Sequence, residues 1–140
     1  MRRYLVVANQ TLGGDHLMNK VRDYMAGGPC GFHVVVPASP PGDHAWTEGE
    51  ARALAQRRLD SALERFRELG AEADGSVGDS NPLVAIEDAV REQRFDEILL
   101  STLPPGPSRW LKLDLPNRVA NKFRIPVTHL IGQAEGAQIR

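Results

Sequence analysis

The chain has 140 residues, 41% of them hydrophobic and 25% charged, with 17 basic and 18 acidic side chains and a net charge of −1. That is enough chain for one core, and so small a net charge excludes a global field suited to nucleic acid or an anionic membrane. The lone Cys30 excludes an intrachain disulfide framework. No stretch approaches the roughly 18 uninterrupted apolar residues of a membrane helix. The opening residues run straight into a strand-like segment where a signal peptide would show a different pattern. A cytoplasmic protein is the expectation, with no membrane and no nucleic acid as partner.

Tyr4 to Ala8 is a continuous apolar run, the pattern of a strand buried on both faces, and it ends at Asn9-Gln10-Thr11. Past Gly13-Gly14, Asp15 is placed to cap a helix carrying Leu17, Val21 and Tyr24 or Met25, which Gly27-Gly28 closes. Phe32 to Val36 is a β-branched second strand stopped by Pro37, and Pro40 and Pro41 stiffen the loop that follows to Trp46. Thr47-Glu48-Gly49-Glu50 has the form of a capping box. It opens a long helix with Ala55, Leu59, Ala62, Leu63, Phe66 and Leu69 on one face.

Residues 71–77 are expected as the third strand, although Gly75 and the alternating acids dilute its β-propensity. Asn81 before Pro82 supplies a cap and a first-turn proline for a helix buried through Leu83, Ile86, Ala89 and Val90. A fourth strand spans Glu97 to Ser101, and Thr102 to Trp110, with Pro104, Pro105, Gly106 and Pro107, is a constrained loop. Asp114 is expected to cap a short helix through Val119 and Phe123. A last strand runs over 125–131, where Pro126 is best tolerated near a sheet edge. Five alternations of strand and helix predict a single-domain α/β fold over 1–131, with a frayed tail over 132–140. The sheet is doubly wound, five-stranded and parallel, of flavodoxin or Rossmann type, with helices on both faces. Ligand sites in such folds lie beyond the strand C-termini, here the loops around Asn9, Pro37 and Ser101 to Asp114.

The order of elements, the turn Gly78-Asp79-Ser80-Asn81-Pro82 and the terminal Arg124-Ile125-Pro126-Val127 resemble the universal stress proteins over residues 2–131. The resemblance implies strand order 3-2-1-4-5, an adenine nucleotide such as ATP as cofactor, and a homodimer paired through the last strand, 125–131. In ATP-binding members the loop after strand four carries spaced glycines whose amides cradle the phosphates. Here those places fall on Ser101, Pro104, Asp114 and Leu115, so the spacing survives and the residues change. Pro104 has no amide hydrogen, and Asp114 puts an acid where phosphate would sit. The acid that members use after strand one is Asn9, which both donates and accepts. The expectation is therefore a non-enzymatic module without ATP in the usual family mode and with no cofactor, acting through homodimerisation or contact with another protein. The alternative is a nucleotide or small-anion binder using the altered loop.

Candidate ligand residues are Asn9, Pro37, Ser101, Thr102, Gly106, Ser108, Arg109 and Lys112. Hydroxyls and cations after strand four stand where a phosphate or carboxylate would be met. Arg109, Lys112, Arg118, Lys122 and Arg124 face one acid, Asp114, although a solvated basic face is the plainer meaning of such a run. His16, His33, His44 and His129 lack metal-ligand spacing, and the loop pair Asp43-His44 and the turn at Gly13-Gly14 carry no specific signal. Trp46 and Trp110 are expected as lid or interface residues. No nucleophile elbow, Walker loop or dinucleotide fingerprint occurs.

Overall fold

The computed structural model describes residues 1–39, 45–106 and 108–132. Five strands, β1 (Arg2–Val7), β2 (Cys30–Pro37), β3 (Glu72–Gly78), β4 (Glu97–Thr102) and β5 (Val127–Ile131), alternate with helices. These helices are α1 (Asp15–Ala26), α2 (Glu48–Glu68), α3 (Pro82–Glu92), the one-turn α4 (Arg109–Lys112) and α5 (Leu115–Phe123). The strands form one sheet in the order β3-β2-β1-β4-β5. Every pairing is parallel, with Val6 opposite Val34 on one side and Leu99 on the other.

The apolar run of β1 serves both faces by simple alternation. Tyr4, Val6 and Ala8 join Leu17, Val21, Leu59 and Phe66 beneath α1 and α2. Leu5 and Val7 join Ile86, Ile98, Leu100, Leu115 and Val119 beneath α3 and α5. Successive strand side chains point to opposite faces, so a strand with helices above and below has no polar side.

Local chemistry sets the ends of the two best-defined helices. Glu50 N donates to Thr47 Oγ1 at 3.1 Å and Thr47 N to Glu50 Oε1 at 3.0 Å, the reciprocal bonds of a capping box. Asn81 Oδ1 accepts from Leu83 N at 3.0 Å while Pro82 occupies the first turn of α3.

Two expected caps are not made. Gly14, not Asp15, stands at the start of α1, and Asp15 lies inside the first turn, where its carboxylate still favours the positive helix end. Asp114 precedes α5 in a left-handed conformation (φ 56°, ψ 39°) with no side-chain bond to a backbone amide. Its second helical partner would be Pro116, which has no N–H, and its carboxylate instead accepts from Asn117 Nδ2 at 3.0 Å. The loop expected from Thr102 to Trp110 also ends early, because Ser108 Oγ accepts from Leu111 N at 3.1 Å and caps α4.

Pro126 lies just before β5 at the sheet edge, where its carbonyl accepts from Ile98 N at 2.8 Å. Pro40, Pro41, Asp43, His44, Pro107 and the expected tail past Gly132 lie outside the described residues.

Candidate functional site

The C-terminal ends of β1 and β4 sit side by side and open onto a crevice of about 390 Å³, counting its open mouth. Of the residues expected there, Asn9, Ser101, Thr102, Ser108 and Arg109 line it. Thr11, Gln10, Ser39, Leu103 and Trp110 complete the wall. Gly106, in a positive-φ turn (φ 98°), and Lys112 stand outside the lining, as does Asp114. Pro37 contributes through its carbonyl.

Asn9 is buried and fully engaged. Its Nδ2 donates to Pro37 O at 2.8 Å and to Ser39 O at 2.9 Å, and its Oδ1 accepts from Arg58 Nη1. Both amide hydrogens are thus held by the backbone at the end of β2. An acid at this place could make neither bond. The residue that the resemblance assigns to adenine or ribose therefore works here as a brace between β1, β2 and α2.

The crevice floor is a chain of hydroxyls. Ser101 Oγ lies 2.6 Å from Thr11 Oγ1 and 2.8 Å from His16 Nε2. Thr102 Oγ1 donates to Leu103 O at 2.9 Å, so its 2.8 Å contact with His129 Nε2 has the imidazole as donor. Two histidines thus meet two consecutive residues of β4. Burial holds both imidazoles below their ordinary value of 6.5, and at His16 the neighbouring Asp15 opposes that shift. No buried side-chain nitrogen or oxygen among the described residues lacks a partner.

The described lining contains one cation, Arg109, and no carboxylate. With the hydroxyls of Thr11, Ser101 and Ser108 in the same lining, such a wall suits an anion better than a cation. Lys122, expected in the same basic run, reaches instead to Glu87 on α3 at 3.1 Å. No group of His, Cys, Asp or Glu able to hold a metal occurs among the described residues. His33 Nδ1 meets Asp74 Oδ1 at 2.8 Å on the sheet, away from the crevice lining. No helix among the described residues is long and apolar enough to cross a membrane.

Sequence reasoning missed Thr11, His16, Ser39 and Arg58. Thr11 had a usable signal, since it lies two residues past Asn9 in the loop after β1. His16 and Arg58 sit inside helical patterns and have none.

No family model matches the chain, and no curated protein matches it. Among solved structures it is similar to a universal stress protein family protein from Arabidopsis thaliana with AMP bound, at 11% identity and a TM-score of 0.63. That match covers 99% of this chain and 96% of the other. A universal stress protein in complex with cAMP matches at 17% identity and a TM-score of 0.57, covering 94% of this chain and 98% of the other. The chain therefore has the fold of the universal stress proteins, the family its sequence resembles.

Proposed function

We propose that the protein is a non-enzymatic, cytoplasmic module of universal-stress type that takes a small oxyanion or phosphate ester in the crevice between β1 and β4. It does not hold ATP in the usual family mode. The observation that carries this reading is the division of labour around the crevice. Asn9 has both amide hydrogens committed to Pro37 O and Ser39 O, whereas Arg109 and the hydroxyls of Ser101 and Ser108 line a wall that holds no carboxylate among the described residues. Asn9 is thereby withdrawn from base and sugar recognition, while the wall keeps one cation and its hydroxyls. The AMP and cAMP of the two structural neighbours are phosphate esters, the ligand class proposed here.

Saturating ligand must raise the melting temperature. Sulfate and AMP should raise it by about 3 °C or more, and ATP should do no better than inorganic tripolyphosphate, which has the phosphates without the nucleoside. Stabilisation by ATP at concentrations where tripolyphosphate has no effect would overturn the reading.

A homodimer through β5 accompanies this proposal. It is supported by the position of β5 at the sheet edge, with Ile131 half exposed. An edge strand presents unpaired backbone groups that a second copy can satisfy.

A further inference from the structure

His16 lies behind the crevice floor, not in its lining, and its surroundings are unusually restrictive. A Cβ at Gly14, or at Gly132 just past β5, would overlap the imidazole ring, so the ring occupies a slot that two glycines leave open. The Gly132 amide donates to Thr102 O at 2.9 Å, which holds that side of the slot against β4. From this slot Nε2 meets Ser101 Oγ at 2.8 Å, and Ser101 Oγ meets Thr11 Oγ1 at 2.6 Å. The imidazole is therefore one hydroxyl away from whatever the crevice holds.

We infer that His16 couples anion binding in the crevice to uptake of a proton, acting through the Ser101 hydroxyl as a positioning residue. This rests on the reading of the crevice as an anion site. A neutral imidazole can either accept from Ser101 or donate to it. The protonated ring can only donate from Nε2, so Ser101 Oγ accepts and its own hydrogen is released toward Thr11 or the crevice. An oxyanion in the crevice accepts that hydrogen, and the imidazolium charge behind Ser101 adds to the Arg109 charge in the wall. Each step favours the other, so the anion raises the proton affinity of His16 and the proton raises the affinity for the anion.

Among the described residues, the charged groups around the ring are few. Asp15 adjoins it in sequence, is itself well exposed, and pairs with Arg65 of α2 at 3.4 Å. β4 presents Ser101, the loop after β1 presents Thr11, and the end of β5 presents the uncharged Gly132. His129 of β5 is engaged by Thr102. Without an anion, burial keeps His16 neutral at neutral pH, which leaves its proton-binding capacity for the ligand-bound state.

Sulfate is the appropriate probe because it stays doubly charged across the range in which His titrates, unlike phosphate. The full chain is titrated with sulfate at about pH 5.5 and about pH 8, on either side of the ordinary His range. The ring protons of His16 are followed by NMR with and without saturating sulfate. Affinity should be about tenfold higher at the lower pH, the factor carried by a one-unit shift in the His16 pKa, and that pKa should rise with sulfate. His16→Gln keeps an amide donor for Ser101 but cannot titrate, so it should retain the affinity seen at pH 8 and lose the pH dependence. His129→Gln should keep the dependence. Binding that is independent of pH, or a dependence that survives in His16→Gln, overturns the coupling alone. An unmoved His16 resonance in sulfate-saturated wild-type protein does the same without needing a folded variant. Absence of sulfate binding at both pH values overturns the coupling and the anion-site reading together.

Discussion

Arg58, on the second helix, donates to the Oδ1 of Asn9 at the end of the first strand, and so closes the last free side of a carboxamide whose two hydrogens already hold Pro37 O and Ser39 O. This ties α2 to the sheet at the mouth of the crevice. Asn9→Asp leaves two carbonyls facing a carboxylate that cannot donate. It should destabilise the fold by about 2 kcal/mol or more, the cost of stranding buried polar groups, even though it brings in the residue type the resembled family uses there. Urea unfolding of the two proteins measures this. Equal midpoints would mean that the brace contributes nothing.

Gly75 lies where β3 passes under α2. A Cβ there would come within 2.7 Å of Leu59 Cδ1 and closer still to the Val34 carbonyl oxygen. The backbone oxygen cannot move aside without disturbing the β2–β3 pairing, in which Val34 is opposite Gly75. Gly75→Ala should therefore destabilise by about 1–3 kcal/mol despite its better intrinsic propensity. A midpoint equal to or above that of the wild type counts against this close approach.

The two histidines bonded to β4, His16 and His129, are held below their ordinary value of 6.5 by burial. Their folded-state pKa values are lower than the unfolded ones, so between the two the unfolded chain binds more protons. In the absence of anions, stability should be unaffected by these groups above pH 6.5, fall as the pH drops below it, and level off once the folded-state values are passed. The double variant His16→Gln, His129→Gln should show a shallower slope in that window. Parallel curves for the two proteins would assign the acid sensitivity elsewhere. Glu87, lowered mainly by its hydrogen bond from Lys122, acts only below the ordinary carboxylate value of 4.5.

Ile131 is 51% exposed at the end of the edge strand β5. A lysine on an edge strand opposes pairing with another chain while barely touching the core. Ile131→Lys should convert the proposed dimer to a monomer in light scattering with little change in melting temperature. A monomeric wild type removes the dimer outright.

Much of the architecture was legible because its signals are local. The continuous apolar run from Tyr4, the capping box of Thr47 and Glu50, and the Asn81-Pro82 helix start each depend on residues within a few positions of one another. The candidate site was legible in part: of the residues expected on the loops after β1, β2 and β4, Asn9, Ser101, Thr102, Ser108 and Arg109 line one crevice, while Pro37, Gly106 and Lys112 stand outside its lining. The failures have physical causes. Asp114 has the right chemistry for a cap, but its left-handed backbone and Pro116 deny it an amide to bond. Asp15 was displaced from the cap position by Gly14. Gly75 looked like a weakness in β3 when it is a response to the helix lying over it.

By itself, then, the sequence determined the alternation of elements and the two-faced burial of the central strands. These follow from side-chain period, turn chemistry and residue identity, which a chain carries before it folds. Only the tertiary structure decided that Asn9 is a brace and that His16 stands behind Ser101, in a slot left by Gly14 and Gly132. Ser101 follows His16 by 85 positions in the chain. Such a contact depends on strand order and helix placement, and no local pattern of residues specifies it.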